Sequence, residues 1–101
     1  MNVHIALYKF RPEITKSRIE KALLKVAALA DEIPGIIEIS TAENTSKYGE
    51  GYTHVILVRG ENQKSMDAYR SHPDHQTVAR ELDAMEERGV GVDFETGKPG
   101  Q

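Results

Sequence analysis

The order of elements in this chain predicts an α+β protein, a ferredoxin-like four-stranded antiparallel sheet with helices packed on one face. Three observations carry that expectation. Strand-like and helix-like segments follow one another as β-α-β and then β-α-α-β, two related halves without a solenoid-type repeat. The strand-like segments are apolar on both parities, so both faces of the sheet need cover. The length, 101 residues, fits one compact domain, set here at 1–96 with a flexible tail over 97–101.

Val3 to Phe10 carries Val3, Ile5 and Leu7 on one parity and His4, Ala6, Tyr8 and Phe10 on the other, as a strand covered on both faces does. Arg11 and Pro12 end it. Thr15 caps a helix running to about Ile33, because Ile19, Leu23, Val26, Ala30 and Ile33 fall on one stripe at helical spacing. Pro34-Gly35 stops that helix and turns the chain into a strand from Ile36 to about Thr41. A polar, glycine-containing loop from Ala42 to Gly51 follows and reads as a rim or lid. The third strand, Tyr52 to Val58, places His54, Ile56 and Val58 on one face and Thr53, Val55 and Leu57 on the other. Asn62 caps a short helix to about Ser71. His72-Pro73 breaks it, since the residue before proline is pushed out of the helical region, and Pro73 suits the first turn of another helix. That helix is expected to reach about Arg88, with Val78, Leu82 and Met85 inward, Glu81 to Arg88 as a solvated face and Gly89 as the stop. A last strand, Val90 to Thr96, alternates Val90, Val92 and Phe94.

Thirteen Lys and Arg against 16 Asp and Glu give a net charge of −3 with the basic residues scattered, which argues against a nucleic-acid surface. No apolar run approaches a membrane span. The chain has no cysteine, which removes thiolate nucleophiles, disulfides and Cys-type zinc sites and agrees with a reducing compartment. Cytoplasmic localisation is expected. The opening MNVHIALYKF sets His4 inside its apolar stretch and lacks a small-residue cleavage site, so it reads as structure and not as a signal peptide. Helices on one face of the sheet leave Val3, Ile5, Leu7, Val55 and Leu57 as an apolar patch on the other. A second copy of the sheet is the economical cover, so a homodimer through that face is expected.

Several segments together resemble a known family. The opening His4 strand ends in Lys9-Phe10, the first helix closes on Ile33-Pro34-Gly35, and Gly51-Tyr52-Thr53-His54 precedes Tyr69-Arg70-Ser71-His72-Pro73-Asp74-His75 and a final Val92-Asp93-Phe94. In order and spacing these resemble the stress-responsive A/B barrel (Dabb) family of the dimeric α+β barrel superfamily, over nearly the whole chain. The resemblance implies a ferredoxin-like protomer whose sheet pairs with that of a second protomer to close a barrel. Some plant members of that family accumulate under stress. One plant polyketide cyclase in it closes a ring in a linear poly-β-keto thioester by an aldol-type reaction without a metal. The resemblance implies Tyr69 and His75 as its catalytic Tyr and His, and His4, His54 and His72 match further histidines of that enzyme. This chain departs from it at Ala22, Leu23 and Val26, where the cyclase is more aromatic, and at Gly89 and Gly91, where it has bulky apolar residues.

The residue types suit carbonyl chemistry on their own terms. His4 and His54 share the parity of Ala6, Ile56 and Val58, so both imidazoles are expected to point into an apolar cleft between sheet and helices. Tyr69 and His75 flank the helix break, where they reach the mouth of that cleft. A neutral histidine is the usual base near neutral pH, and a tyrosine hydroxyl can donate to a developing enolate oxygen. Expected in substrate contact are His4, His54, Tyr52, His72, Leu23, Val26, Ile56 and Val58, around a small carbonyl or aromatic ligand. No cofactor is expected. A metal is not expected either: His72 and His75 are three apart, but Pro73 between them fixes a turn for reasons unrelated to metal. The competing reading is a non-catalytic, stress-linked homodimer whose histidines serve packing and capping.

Overall fold

A computed structural model describes residues 1–97. In chain order the elements are β1 (Asn2–Phe10), α1 (Lys16–Glu32), β2 (Ile36–Glu43), β3 (His54–Gly60), α2 (Gln63–Ser71), α3 (Pro73–Met85) and β4 (Glu86–Glu95). The strands form one antiparallel sheet in the order β2-β3-β1-β4, with β1 and β3 in the centre. This is the ferredoxin-like arrangement that the element order implies. Among the described residues, no helix is long and apolar enough to cross a membrane.

The helices lie against the face carrying Ala6, Ile56 and Val58, which pack with Ile19, Leu23, Val26 and Leu29 of α1, Met66 and Tyr69 of α2, and Val78, Leu82 and Met85 of α3 in one buried cluster. Local chemistry fixes the starts of the helices. The Thr15 hydroxyl accepts from the Arg18 amide at 3.2 Å, and the Asn62 side chain accepts from the Ser65 amide at 2.9 Å. Each satisfies an amide that the first helical turn leaves without a partner. Gly35 turns the chain out of α1 at φ 87°, where a Cβ would lie 2.1 Å from the Ser65 hydroxyl, so both backbone conformation and space select glycine.

Several boundaries differ from expectation. β2 runs on to Glu43 and β3 begins only at His54, because the ladder between them persists to the pair Glu43 and His54. Tyr52 and Thr53 therefore belong to the connecting loop. α3 ends at Met85 and not near Arg88, and Gly89 is a strand residue paired with Tyr8. The cause is the sheet: β1 pairs with Glu86 and Arg88, and the Arg11 amide donates to the Met85 carbonyl at 3.0 Å. The expected solvated helix face thus ends as the start of β4. Of the tail expected over 97–101, residues 98–101 lie outside the described residues.

The sheet face away from the helices is more apolar than expected. β4 sets Val90 beside Leu7, Val92 beside Ile5 and Phe94 beside Val3, and β3 sets Val55 and Leu57 on the other side of Leu7 and Ile5. Val90, Val92 and Phe94 are 44%, 49% and 44% exposed in the single chain.

Candidate active site

The break between α2 and α3 is built by a chain of hydrogen bonds. His72 is the N-cap of α3, and its Nδ1 accepts from the Asp74 amide at 3.1 Å. In a continuous helix that amide would have gone to the Arg70 carbonyl. The carbonyl instead accepts from the His75 ring, whose Nδ1 lies 3.2 Å away. A carbonyl can only accept, so the His75 proton sits on Nδ1 and Nε2 carries the lone pair. The Tyr69 and His75 rings lie 4.3 Å apart, centroid to centroid, tilted by 53°.

Both rings line a cavity of about 40 Å³ between the sheet and α3, together with His4 and Tyr8 as polar groups and Val26 and Ile56 in the apolar wall. Burial pushes the Tyr69 hydroxyl up to about 12, so it stays a proton donor at neutral pH, and the same holds for Tyr8. Burial also lowers the pKa of His75, despite the opposing backbone hydrogen bond, so its ring is neutral. His4 is anchored from the edge strand: its Nδ1 lies 2.8 Å from Asp93 Oδ1, and Arg70 donates to the same carboxylate oxygen. A carboxylate accepts only, so this shorter contact places a proton on His4 Nδ1, and Arg70 Nη2, 3.3 Å from the same nitrogen, donates to Asp93 instead. Burial pushes the Asp93 carboxyl up, but the hydrogen bonds from His4 and Arg70 outweigh it and hold the pKa below the usual value.

The cavity therefore brings together five of the expected residues: His4, Tyr69, His75, Val26 and Ile56. Others fall elsewhere. His54 and Leu23 line a separate depression beside Glu20 of α1 and Thr41 of β2, because His54 pairs with Tyr8 while His4 pairs with Val58. At strand spacing the two histidines are roughly 13 Å apart, so they do not share one cleft. His54 packs edge-on against Phe10, and burial lowers its pKa. Val58 is wholly buried in the core. Tyr52 sits in the loop under the Arg88 guanidinium, 4.8 Å from the ring centroid. His72 spends its Nδ1 on the cap. Tyr8 was legible as a site residue from its parity with His4 and Ala6; Arg70 and Asp93 gave no such signal, because they meet His4 only through the packing of α2 and β4.

One group of potential metal ligands occurs among the described residues, Glu32, His72 and Asp74, with ligand atoms within 4.8 Å of one another. The spacing of His72 and His75 did not point to it. Since His72 Nδ1 accepts from the Asp74 amide, the ring proton sits on Nε2. A hydrogen bond with Asp74 raises the Glu32 pKa.

A ferredoxin-like α+β fold with a histidine- and tyrosine-walled cavity under its third helix defines the class of protein. The chain belongs to the stress responsive A/B barrel domain family, whose model matches residues 3–96. It is 28% identical over 74 residues to a protein of Cannabis sativa named olivetolic acid cyclase, a match covering 71% of this chain and 73% of that protein. A solved structure from Arabidopsis thaliana has a TM-score of 0.89 at 19% identity and covers 100% of both chains. A protein from Jannaschia, described as dimeric, ferredoxin-like and of unknown function, has a TM-score of 0.85 at 27% identity, covering 94% of this chain and 98% of that one.

Proposed function

We propose that this chain forms a homodimer in which each protomer binds a small carbonyl or polyketide-type compound and performs acid–base chemistry on it without a metal. The observation that carries the reading is the Tyr69–His75 pair, two rings in contact at one cavity with a hydroxyl donor beside an imidazole whose proton is held on Nδ1. His75 Nε2 takes a proton from a carbon between two carbonyls. Tyr69 donates to the carbonyl oxygen as the C–H electron pair moves into an enolate. The enolate carbon then attacks a second carbonyl of the same chain, forming the C–C bond of a ring, and the new alkoxide takes the proton back from His75. The name of the Cannabis sativa relative supports this reading. The cysteine-free composition suits a reducing cytoplasm.

The test is exchange of the α-protons of an acetoacetyl thioester of N-acetylcysteamine in D₂O, followed by NMR. The protein is expected to accelerate it. His75→Gln should lose roughly 10²-fold or more of that rate, and Tyr69→Phe a smaller part, with melting temperatures close to that of the parent. Equal exchange by the parent and His75→Gln would remove His75 as the base.

A further inference from the structure

We propose that the ligand enters lengthwise along β4, with an aromatic or conjugated ring resting on the backbone of Gly89 and Gly91 and its carbonyl arm reaching past His4 to Tyr69 and His75. This rests on the proposed function, and it names the substrate class: a flat, ring-bearing β-dicarbonyl compound.

Volume is the first reason. The inner cavity, about 40 Å³, has room for a carbonyl end and not for a whole substrate. Next to it lies a second space of about 210 Å³, which shares His4, Ala6 and Tyr8 with the inner cavity and continues over Glu86, Gly89 and Gly91. An apolar cavity of about 150 Å³ holds a benzene ring, so a single ring fits here. The reacting arm and the ring thus have separate, adjoining places.

The floor of the second space is the second reason. Gly89 pairs with Tyr8 and Gly91 with Ala6, on the helix side of the sheet, yet the helices pack chiefly over β2, β3 and one another. Neither glycine has the positive φ that would require it. Glycine inside a strand is unfavourable to the strand and often marks a close approach of ligand to backbone. A Cβ at Gly91 would stand 3.3 Å from the His4 ring, and one at Gly89 would meet the Glu86 carboxylate at 1.9 Å and the Leu7 carbonyl at 3.3 Å, so the end of the Glu86 side chain lies over Gly89 and swings aside when the groove is filled. A side chain at Gly91 needs a small shift of the His4 ring, and one at Gly89 needs Glu86 to swing out and the Leu7 carbonyl to give by a few tenths of an ångström; either would occupy the groove. Glu86 at its outer end disfavours an anionic group on the ring.

Acetylacetone and benzoylacetone share a 1,3-diketone head and differ by one ring, so their affinities, measured by calorimetry, isolate the groove. The parent is expected to bind benzoylacetone at least tenfold more tightly. In Gly89→Val the ratio of the two affinities should fall to about one, with circular dichroism and a cooperative melt showing that the fold is kept. Gly91→Ala is the milder second variant and should reduce the ratio in the same direction. If acetylacetone binds and the ring adds nothing, or if both variants keep the full preference, the groove proposal falls and the proposed function stands. If neither diketone binds the parent, both fall.

Discussion

His75 owes its chemistry to residues that never touch the cavity. Proline at position 73 ends α2, His72 takes the Asp74 amide, and the Arg70 carbonyl is left free to hold the His75 proton on Nδ1. The Tyr-x-x-His-Pro-x-His run showed in the sequence that a break and a candidate base coincide. It did not show that His72 is the cap and His75 the aimed ring, since that division depends on which nitrogen meets which backbone group. The titration of the histidines gives a test at this scale. Burial places the folded-state pKa values of both His75 and His54 below the ordinary value of 6.5. As pH falls through that ordinary range the unfolded chain binds protons first. The stability these two rings contribute is therefore fully present above it and is lost as pH drops through their folded-state values. NMR titration should find both below a free histidine, and denaturant unfolding should show stability falling on acidification across the histidine range. Two rings that titrate like free imidazole would place them in water.

At the scale of elements, the helix starts were legible because capping is local. Thr15 and Asn62 stand where their side chains bond the amide three residues on, a relation that spacing alone specifies. Asn62→Ala should accordingly cost about 1 kcal/mol in urea unfolding, and Asn62→Asp should retain most of it. A cost near zero in Asn62→Ala would mean that tertiary packing alone holds α2. The end of α3 was not legible. Glu81 to Arg88 has helical composition, and Gly89 looks like a stop, but β1 offers Glu86 and Arg88 a ladder and the Arg11 amide takes the Met85 carbonyl. Pairing across more than seventy residues overrode local preference, as it commonly does for short polar segments next to an unpaired strand.

For the whole molecule, the unanswered demand is the outer face of the sheet, where Ile5, Leu7, Val55 and Leu57 adjoin the exposed Val90, Val92 and Phe94. A contiguous apolar face of this kind is rare on a soluble monomer. Light scattering is expected to give twice the chain mass at micromolar concentration. Leu57→Lys, in the middle of that face, should yield a folded monomer, because the buried ammonium would lose its hydration without a partner. Normal dimerisation of Leu57→Lys would move the interface elsewhere. The sequence by itself determined this face and its opposite, since alternation along a strand assigns each side chain to one side whatever the strand later pairs with. It likewise determined the number and order of the elements, and the Tyr69, His72-Pro73 and His75 break. Only the tertiary structure decided which residues of one face meet. Register set His4 against Val58 and His54 against Tyr8, separating two histidines that parity had put together. The packing of α2 and β4 on β1 brought Arg70 and Asp93 to His4. Parity is a property of each strand alone, whereas register and helix placement are settled by the joint packing of all of them.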